Sequence, residues 1–437
     1  MSRLLTRRSM LSASGSVAVL AVLAACGSDS GSSSDGATVG TDATVELTFA
    51  GWSLDTTPEF QALADAFHEA NPNITVTVKE YSASDYDTQL TSDLSAGSAP
   101  DVFPIKNLLR YYYYESNGQL MALDDIAAGY TSDSNISLDY LNVDGSYYAL
   151  PYRQDSWVLF YNKDAFAAAG VSEPDGSWTW DDYAQAAKDI TSAGAMKGTY
   201  HHIWQSVVQG FALAQYPDAD LTSGDYSYLK PFYETALDIQ DSGAAETFAT
   251  AQAQSLTYQA QFGTQKAAMM PMGTWFIATL LQQQSTGDAD DFSWGIAPIP
   301  QYEAGHEDEP ITFGDPTSLA VNASLNGDKA AAAKAFVEFS MSAEGAKVMA
   351  GIGITPAYLS QETEDTFFEL EGMPQDDLSK TTFSVHDTRP ENPVSATVND
   401  IQTILNDMHS AIMTETTGLD EALKEAADTV SSQGLTA

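Results

Sequence analysis

Residues 45–78 constrain the fold more than any other stretch of the chain. Val45 to Ala50 alternates apolar and polar side chains as a half-buried strand does, and Gly51 turns the chain into a short loop, Trp52-Ser53-Leu54-Asp55. Thr57 is a good N-cap and Pro58 a good first helical residue, after which Phe60, Leu63, Ala64 and Phe67 share one helical face. Asn71-Pro72 stops that helix, and Ile74, Val76 and Val78 alternate again. A strand, a helix and a strand in that order make a crossover unit, the building block of parallel α/β sheets. The pattern continues with a helix on Tyr86, Leu90 and Leu94 closed by Gly97, followed by Pro100-Asp101-Val102-Phe103. At 437 residues the chain exceeds what one hydrophobic core supports, so two domains are expected.

Further along, Tyr111 to Tyr114 are four tyrosines in a row, which a helix points in different directions so that only some are buried. Thr179 with Asp182 predicts a helix start, and Tyr183, Ala184, Ala187 and Ile190 its apolar stripe. Residues 198–215 read as a helix with Trp204 in its first turns. His201-His202 invites a metal reading, but adjacent residues do not share a helical face and no third ligand is evident, so no metal or other cofactor is expected. Asp328 is expected to cap an Ala-rich helix with Phe336 and Phe339. Ile401 to Ile412 and Leu419 to Val430 mark two final amphipathic helices.

With 60 acids against 18 bases the formal charge is −42, a surface that repels phosphate backbones and excludes nucleic acid as a natural partner. Residues 1–25 carry Arg3, Arg7 and Arg8, then an apolar run too short to span a bilayer as a mature helix. The run ends in Leu23-Ala24-Ala25-Cys26, which resembles a lipobox, so Cys26 is the expected lipidation site. Thr6 to Leu11 also resembles a twin-arginine export motif, although paired Arg is common in ordinary signal peptides. Cleavage would remove three Arg and no acid, leaving about −45, and no other cysteine for a disulfide, a metal or catalysis. Residues 26–43 are Gly, Ser, Asp and Thr-rich and read as a flexible tether.

The richest stretch is Asp144 to Ile190, where Leu150-Pro151 and Asp155 precede Tyr161-Asn162-Lys163-Asp164. Met269-Met270-Pro271-Met272-Gly273-Thr274-Trp275 is the second, and Gly351 to Pro356 a third. These motifs, in this order, resemble the extracellular solute-binding proteins that feed ABC sugar importers, the maltose-binding type. The resemblance runs from about Thr44 to the C-terminus. It implies an α/β, two-lobed periplasmic-binding-protein-like fold, each lobe a mostly parallel sheet flanked by helices, joined by crossing hinge strands. The lobes would comprise residues 44–154 with 311–359, and 155–310 with 360–437. It further implies a monomer, lipid-anchored to the outer face of the plasma membrane, that closes on a carbohydrate ligand and is read by permease subunits.

A neutral sugar needs acceptors for its hydroxyls and a flat apolar partner for its ring face. By resemblance Trp275 stacks on a sugar ring and Asp155, at the crossover, accepts hydroxyls. Trp204 is expected beside Trp275, with Trp52, Asp55, Tyr152 and Asp315 as candidates from the first lobe. The maltose-binding pattern also has an aromatic near the last crossing, which Asp387 to Ser395 lacks, so maltose itself is not implied. Arg389 in that segment is a further candidate, for a ligand or for a surface ion pair. Two other readings stay open: a secreted glycoside hydrolase, which needs a carboxylate pair across a glycosidic bond, and a binder of a non-sugar solute such as a glycerol phosphate ester.

Overall fold

Val45, Leu47 and Phe49 are buried and Glu46 and Thr48 exposed, so the expected alternation places β1 (Val45–Trp52) with one face on a core. The computed structural model describes residues 43–436 except positions 56, 107, 131–137 and 195. The signal segment 1–25, Cys26 and nearly all of the tether lie outside the described residues. The described residues belong to one compact unit, Ala37–Ala437.

After β1, a helix at Glu59–Ala70 buries Phe60, Leu63, Ala64 and Phe67 and leads to β2 (Ile74–Tyr81), which pairs parallel with β1. The helix begins one position later than expected. Thr57 N donates to Ser53 O, and Pro58 takes the cap position without a capping side chain. β3 (Val102–Ile105) pairs parallel on the other side of β1. A small hairpin of β4 (Asn142–Val143) and β5 (Ser146–Tyr147) precedes β6 (Leu150–Gln154). β7 (Trp157–Asn162) follows after two residues, but in a different sheet, which it shares with β8 (Lys197–Thr199), β9 (Ala267–Gly273) and β10 (Trp294–Ala297). β11 (Ile311–Phe313) leads back to β12 (Pro316–Val321), and β13 (Asp387–Arg389) pairs parallel with β11.

The first sheet has the order β2-β1-β3-β12-β6 and the second β10-β7-β9-β8. Parallel pairing holds among β1, β2 and β3 and between β8 and β9, whereas β12 runs antiparallel to both β3 and β6, and β7 antiparallel to both β9 and β10. The sheets are therefore mixed rather than mostly parallel. β6 leaves the first lobe where β12 enters it, and two chains crossing the same boundary in opposite directions pair antiparallel. Ile311 and Phe313 pack in the same core as the strands β7, β9 and β10.

Several local signals act as the sequence suggests. Thr179 and Asp182 form a reciprocal capping box at the helix Trp180–Ala193. In Tyr161-Asn162-Lys163-Asp164, the Asn162 side chain accepts from Ala165 N (2.9 Å) and caps the helix Lys163–Ala169, while Asp164 accepts from Ser293 N (2.9 Å). Tyr111 and Tyr114 are buried, their hydroxyls donating to Leu141 O (2.8 Å) and to Asp87 O (3.4 Å), whereas Tyr113 is exposed. Asn326, not Asp328, occupies the cap of the helix Gly327–Ser340, and Asp328 sits in its first turn. Residues 198–215 are not one helix: the backbone of Lys197 and Thr199 pairs with Ala267 and Met269, and the helix spans only Ser206–Gln215. Trp204 is left in the connecting loop.

The two histidines before it face different partners. His201 Nε2 meets the Tyr183 hydroxyl (2.9 Å) and His202 Nδ1 the Tyr200 hydroxyl (3.0 Å); His409 Nδ1 meets the Tyr233 hydroxyl (3.0 Å). Burial lowers His201 and His202 to about 4 and His409 to about 3. All three fold neutral, while in the unfolded chain each takes up a proton below about pH 6.5. Stability from this cluster is therefore present above about pH 6.5 and lost as pH falls through about 4. Urea unfolding at pH 7 and pH 4.5 should show that loss, and His201→Gln should make it smaller; an equal loss in the variant would refute the assignment.

Candidate ligand-binding site at the lobe crossing

The crossing from β6 to β7 is built on one buried cation. The Arg153 guanidinium bonds Glu59 through Nη1 and Asp155 through Nε (2.6 Å), and the Tyr152 hydroxyl donates to the other Glu59 oxygen (2.8 Å). Glu59 is fully buried, and Arg153 and Asp155 nearly so. Burial raises the Glu59 carboxyl above its ordinary range, with Arg153 and the Tyr152 hydroxyl pulling the other way. Asp155 also accepts from Thr274 Oγ1 (2.9 Å), so the crossing is tied to the residue next to Trp275. The two motifs thus meet across 119 residues of chain.

Gly273 and Gly314 make this approach possible. Neither has a positive φ; what they supply is room. A Cβ on Gly273 would lie 1.9 Å from the Trp275 ring, so the indole lies back over the glycine. A Cβ on Gly314 would lie 2.1 Å from Asp155 O, where the outgoing and returning segments pass. Gly314→Ala should therefore force the crossings apart and cost about 1–3 kcal/mol, as overpacking does. Equal thermal midpoints for variant and parent would contradict it.

On the second lobe, Trp157, Trp204, Trp275 and Tyr258 form one aromatic group. Trp157 meets Trp275 edge-on at 5.5 Å and Trp204 at 6.5 Å; Trp204 lies 6.3 Å from Trp275, 5.7 Å from Tyr258 and 4.5 Å from His202. Trp157 is buried and stacks on Phe313 of the returning strand (5.0 Å), while Trp204 is 40% exposed, the only tryptophan among the described residues left so open. Tyr258 also meets His202 edge-on at 5.5 Å. Trp204 is exposed and Trp275 half-buried, so neither indole is committed wholly to the core. That arrangement suits a flat apolar ligand surface.

The first-lobe candidates divide. Trp52 is half-buried, edge-on to Phe60 (4.8 Å) and Tyr86 (5.1 Å), with Lys106 Nζ 5.1 Å from its ring centre. Asp55 is exposed. Tyr152 is 1% exposed, its hydroxyl bound to Glu59, and presents no surface to a ligand in this structure. Asp315 accepts from Leu108 N (3.3 Å), Glu391 N (2.8 Å), Asn392 N (3.1 Å) and Asn392 Nδ2 (2.6 Å), so its acceptor sites are taken by the chain itself. It clasps the returning strand to the last crossing. Arg389 bonds Asp387 (2.9 Å) and Ala214 O (2.5 Å). Sequence reasoning missed Arg153, Trp157 and Tyr258, although Arg153 and Trp157 flank Asp155 at two-residue spacing. Nothing in sequence spacing points to Glu59, 94 residues from its partner.

The profile of the bacterial extracellular solute-binding protein family matches residues 52–347, more than half of the chain. The chain belongs to that family, and its fold is the two-lobed α/β fold of periplasmic binding proteins. Among individual relatives, an sn-glycerol-3-phosphate-binding periplasmic protein of Brucella melitensis is 26% identical over 236 residues, 52% of this chain and 54% of the relative. The diacetylchitobiose binding protein of Streptomyces coelicolor is 31% identical over 170 residues, 38% of this chain and 39% of the relative. The chain thus matches about half the length of these relatives, or less. A solved sugar transporter from Rhizobium etli in an open conformation has a TM-score of 0.78 and 30% identity, covering 88% of this chain and 99% of that one. An ABC substrate-binding protein from Listeria monocytogenes, in complex with cycloalternan, shares the fold at a TM-score of 0.74 and 21% identity, covering 90% and 100%.

Proposed function

We propose that this protein captures a neutral sugar or oligosaccharide between its lobes and delivers it to the membrane permease of an ABC importer. The observation that carries the reading is the aromatic group at the crossing: Trp204 is exposed and Trp275 half-buried, and Thr274, next to Trp275, is hydrogen-bonded to Asp155. Two of the relatives, a diacetylchitobiose binder and a sugar transporter, support the same class. A neutral ligand is favoured over a phosphate ester because the nearby cations are already engaged. Arg153 faces two carboxylates, Arg389 holds Asp387 and Ala214 O, and Lys106 donates to Ala83 O (2.8 Å).

In this reading the ligand bridges the lobes, and closure about the crossings is driven by its greater affinity for the closed arrangement. The permease then reads the closed surface. Cys26 carries a lipid that holds a monomeric, extracytoplasmic body on the outer face of the plasma membrane. The cycle requires no catalysis. A thermal-shift panel of mono- and oligosaccharides, with glycerol 3-phosphate included, tests the reading, since a ligand for the folded state raises the unfolding midpoint by mass action. A saturable shift with a neutral sugar supports it; a shift with glycerol 3-phosphate alone overturns the neutral-ligand class. New reducing ends on prolonged incubation with the bound oligosaccharide would favour a glycoside hydrolase.

A further inference from the structure

Two Asn-Gly steps occur in the chain, Asn117-Gly118 and Asn326-Gly327. An asparagine amide is lost most readily before glycine, because no side chain shields the next backbone nitrogen from the Asn Cγ. Both asparagines are exposed, so exposure does not separate them. Hydrogen bonding and backbone geometry do.

At Asn117 both reacting groups are held. Gly118 N donates to Glu115 O (2.7 Å), and Asn117 Nδ2 donates to Tyr113 O (2.7 Å). The Asn117 ψ of 4° also turns Gly118 N away from the Asn117 Cβ. At Asn326 neither group is held. Its side chain makes no capping bond to the helix Gly327–Ser340, and among the described residues Gly327 N has no acceptor. The Asn326 carbonyl accepts from Ala330 N at 3.4 Å, which is long for such a bond. Asn326 is extended, with ψ 169°, and this brings Gly327 N nearer to the side of its Cβ. A Cβ placed on Gly327 would meet nothing within 4 Å, so the segment has room to turn.

We propose that Asn326 is a site of self-modification, where the amide is converted to aspartate and isoaspartate through a cyclic imide. Gly327 N attacks Asn326 Cγ; the new N–C bond forms, the Cγ–Nδ2 bond breaks, and the Gly327 proton leaves with the amide nitrogen as ammonia. Water then opens the imide at one carbonyl or the other, giving aspartate or isoaspartate. Water is the sole co-reactant, and the product carries one more negative charge ahead of the helix. To test this, full-length protein is held folded at mildly alkaline pH beside a sample unfolded in urea, and the peptides containing Asn117 and Asn326 are weighed by mass spectrometry. In the folded chain Asn326 should convert first and Asn117 about 5- to 150-fold more slowly, because two hydrogen bonds must open there. Unfolding should bring the two rates together. Asn326→Gln should keep the parental unfolding midpoint and lose the conversion at that position. Chromatography should resolve both aspartate and isoaspartate forms of the Asn326 peptide. Conversion of Asn117 as fast as that of Asn326 in the folded chain overturns the proposal. So does an Asn326 amide that survives in the folded chain while the unfolded chain converts, a rate difference that persists in urea, or a product that is aspartate alone.

Discussion

Replacing Arg153 with Leu should lower the unfolding free energy by about 3–5 kcal/mol, the range for removing one partner of a buried ionic cluster. Two carboxylates face that guanidinium: Glu59 is fully buried, and the Asp155 side chain is 9% exposed. Without Arg153, one or both must bind a proton or carry an unpaired charge out of water. Urea unfolding should show a lower midpoint with an unchanged slope, the signature of lost stability rather than altered compactness. The triple variant Glu59→Gln, Arg153→Met, Asp155→Asn should recover much of the loss, because neutral groups of similar shape remove the desolvation penalty together with the attraction. A loss below about 1 kcal/mol in Arg153→Leu would mean that water reaches the cluster.

Trp275→Ala should weaken binding of the sugar identified by the thermal-shift panel by about 2–4 kcal/mol, the size of an interface hot spot. That is roughly 30- to 700-fold in Kd. The indole lies over Gly273 and touches Trp157 and Trp204, so its loss removes a stacking face and frees the neighbouring Trp204. Trp204→Ala should weaken binding as well, and because Trp204 stands 40% exposed its removal should leave stability nearly unchanged. Calorimetric titration decides the matter: an unaltered affinity in Trp275→Ala takes that residue out of the site.

The network around Arg153 also shows how far local pattern carries. Strand alternation at Val45–Phe49, the helical face of Phe60 to Phe67 and the Thr179–Asp182 cap depend on residues a few positions apart, so the chain written in one dimension determines them. The same holds for the ordered motifs around Leu150-Pro151, Tyr161-Asn162 and Gly273-Thr274-Trp275, which indicate the two-lobed family fold. Side-chain commitments were decided elsewhere. Tyr152, Asp315 and Arg389 have the chemistry to hold a hydroxylated ligand, yet each is engaged by a group at least 76 residues away: Tyr152 by Glu59, Asp315 by Glu391, Asn392 and Leu108, and Arg389 by Ala214. Trp204 left its expected helix because an edge strand, Lys197–Thr199, found a parallel partner in β9.

Periodicity reports what a residue does to its near neighbours, and a polar group's availability depends on who reaches it first in space. The sequence by itself therefore determined the elements, their caps and the class of fold. Only the tertiary structure decided which acids and aromatics remain open for a ligand, because burial and hydrogen bonding join residues that no local pattern relates.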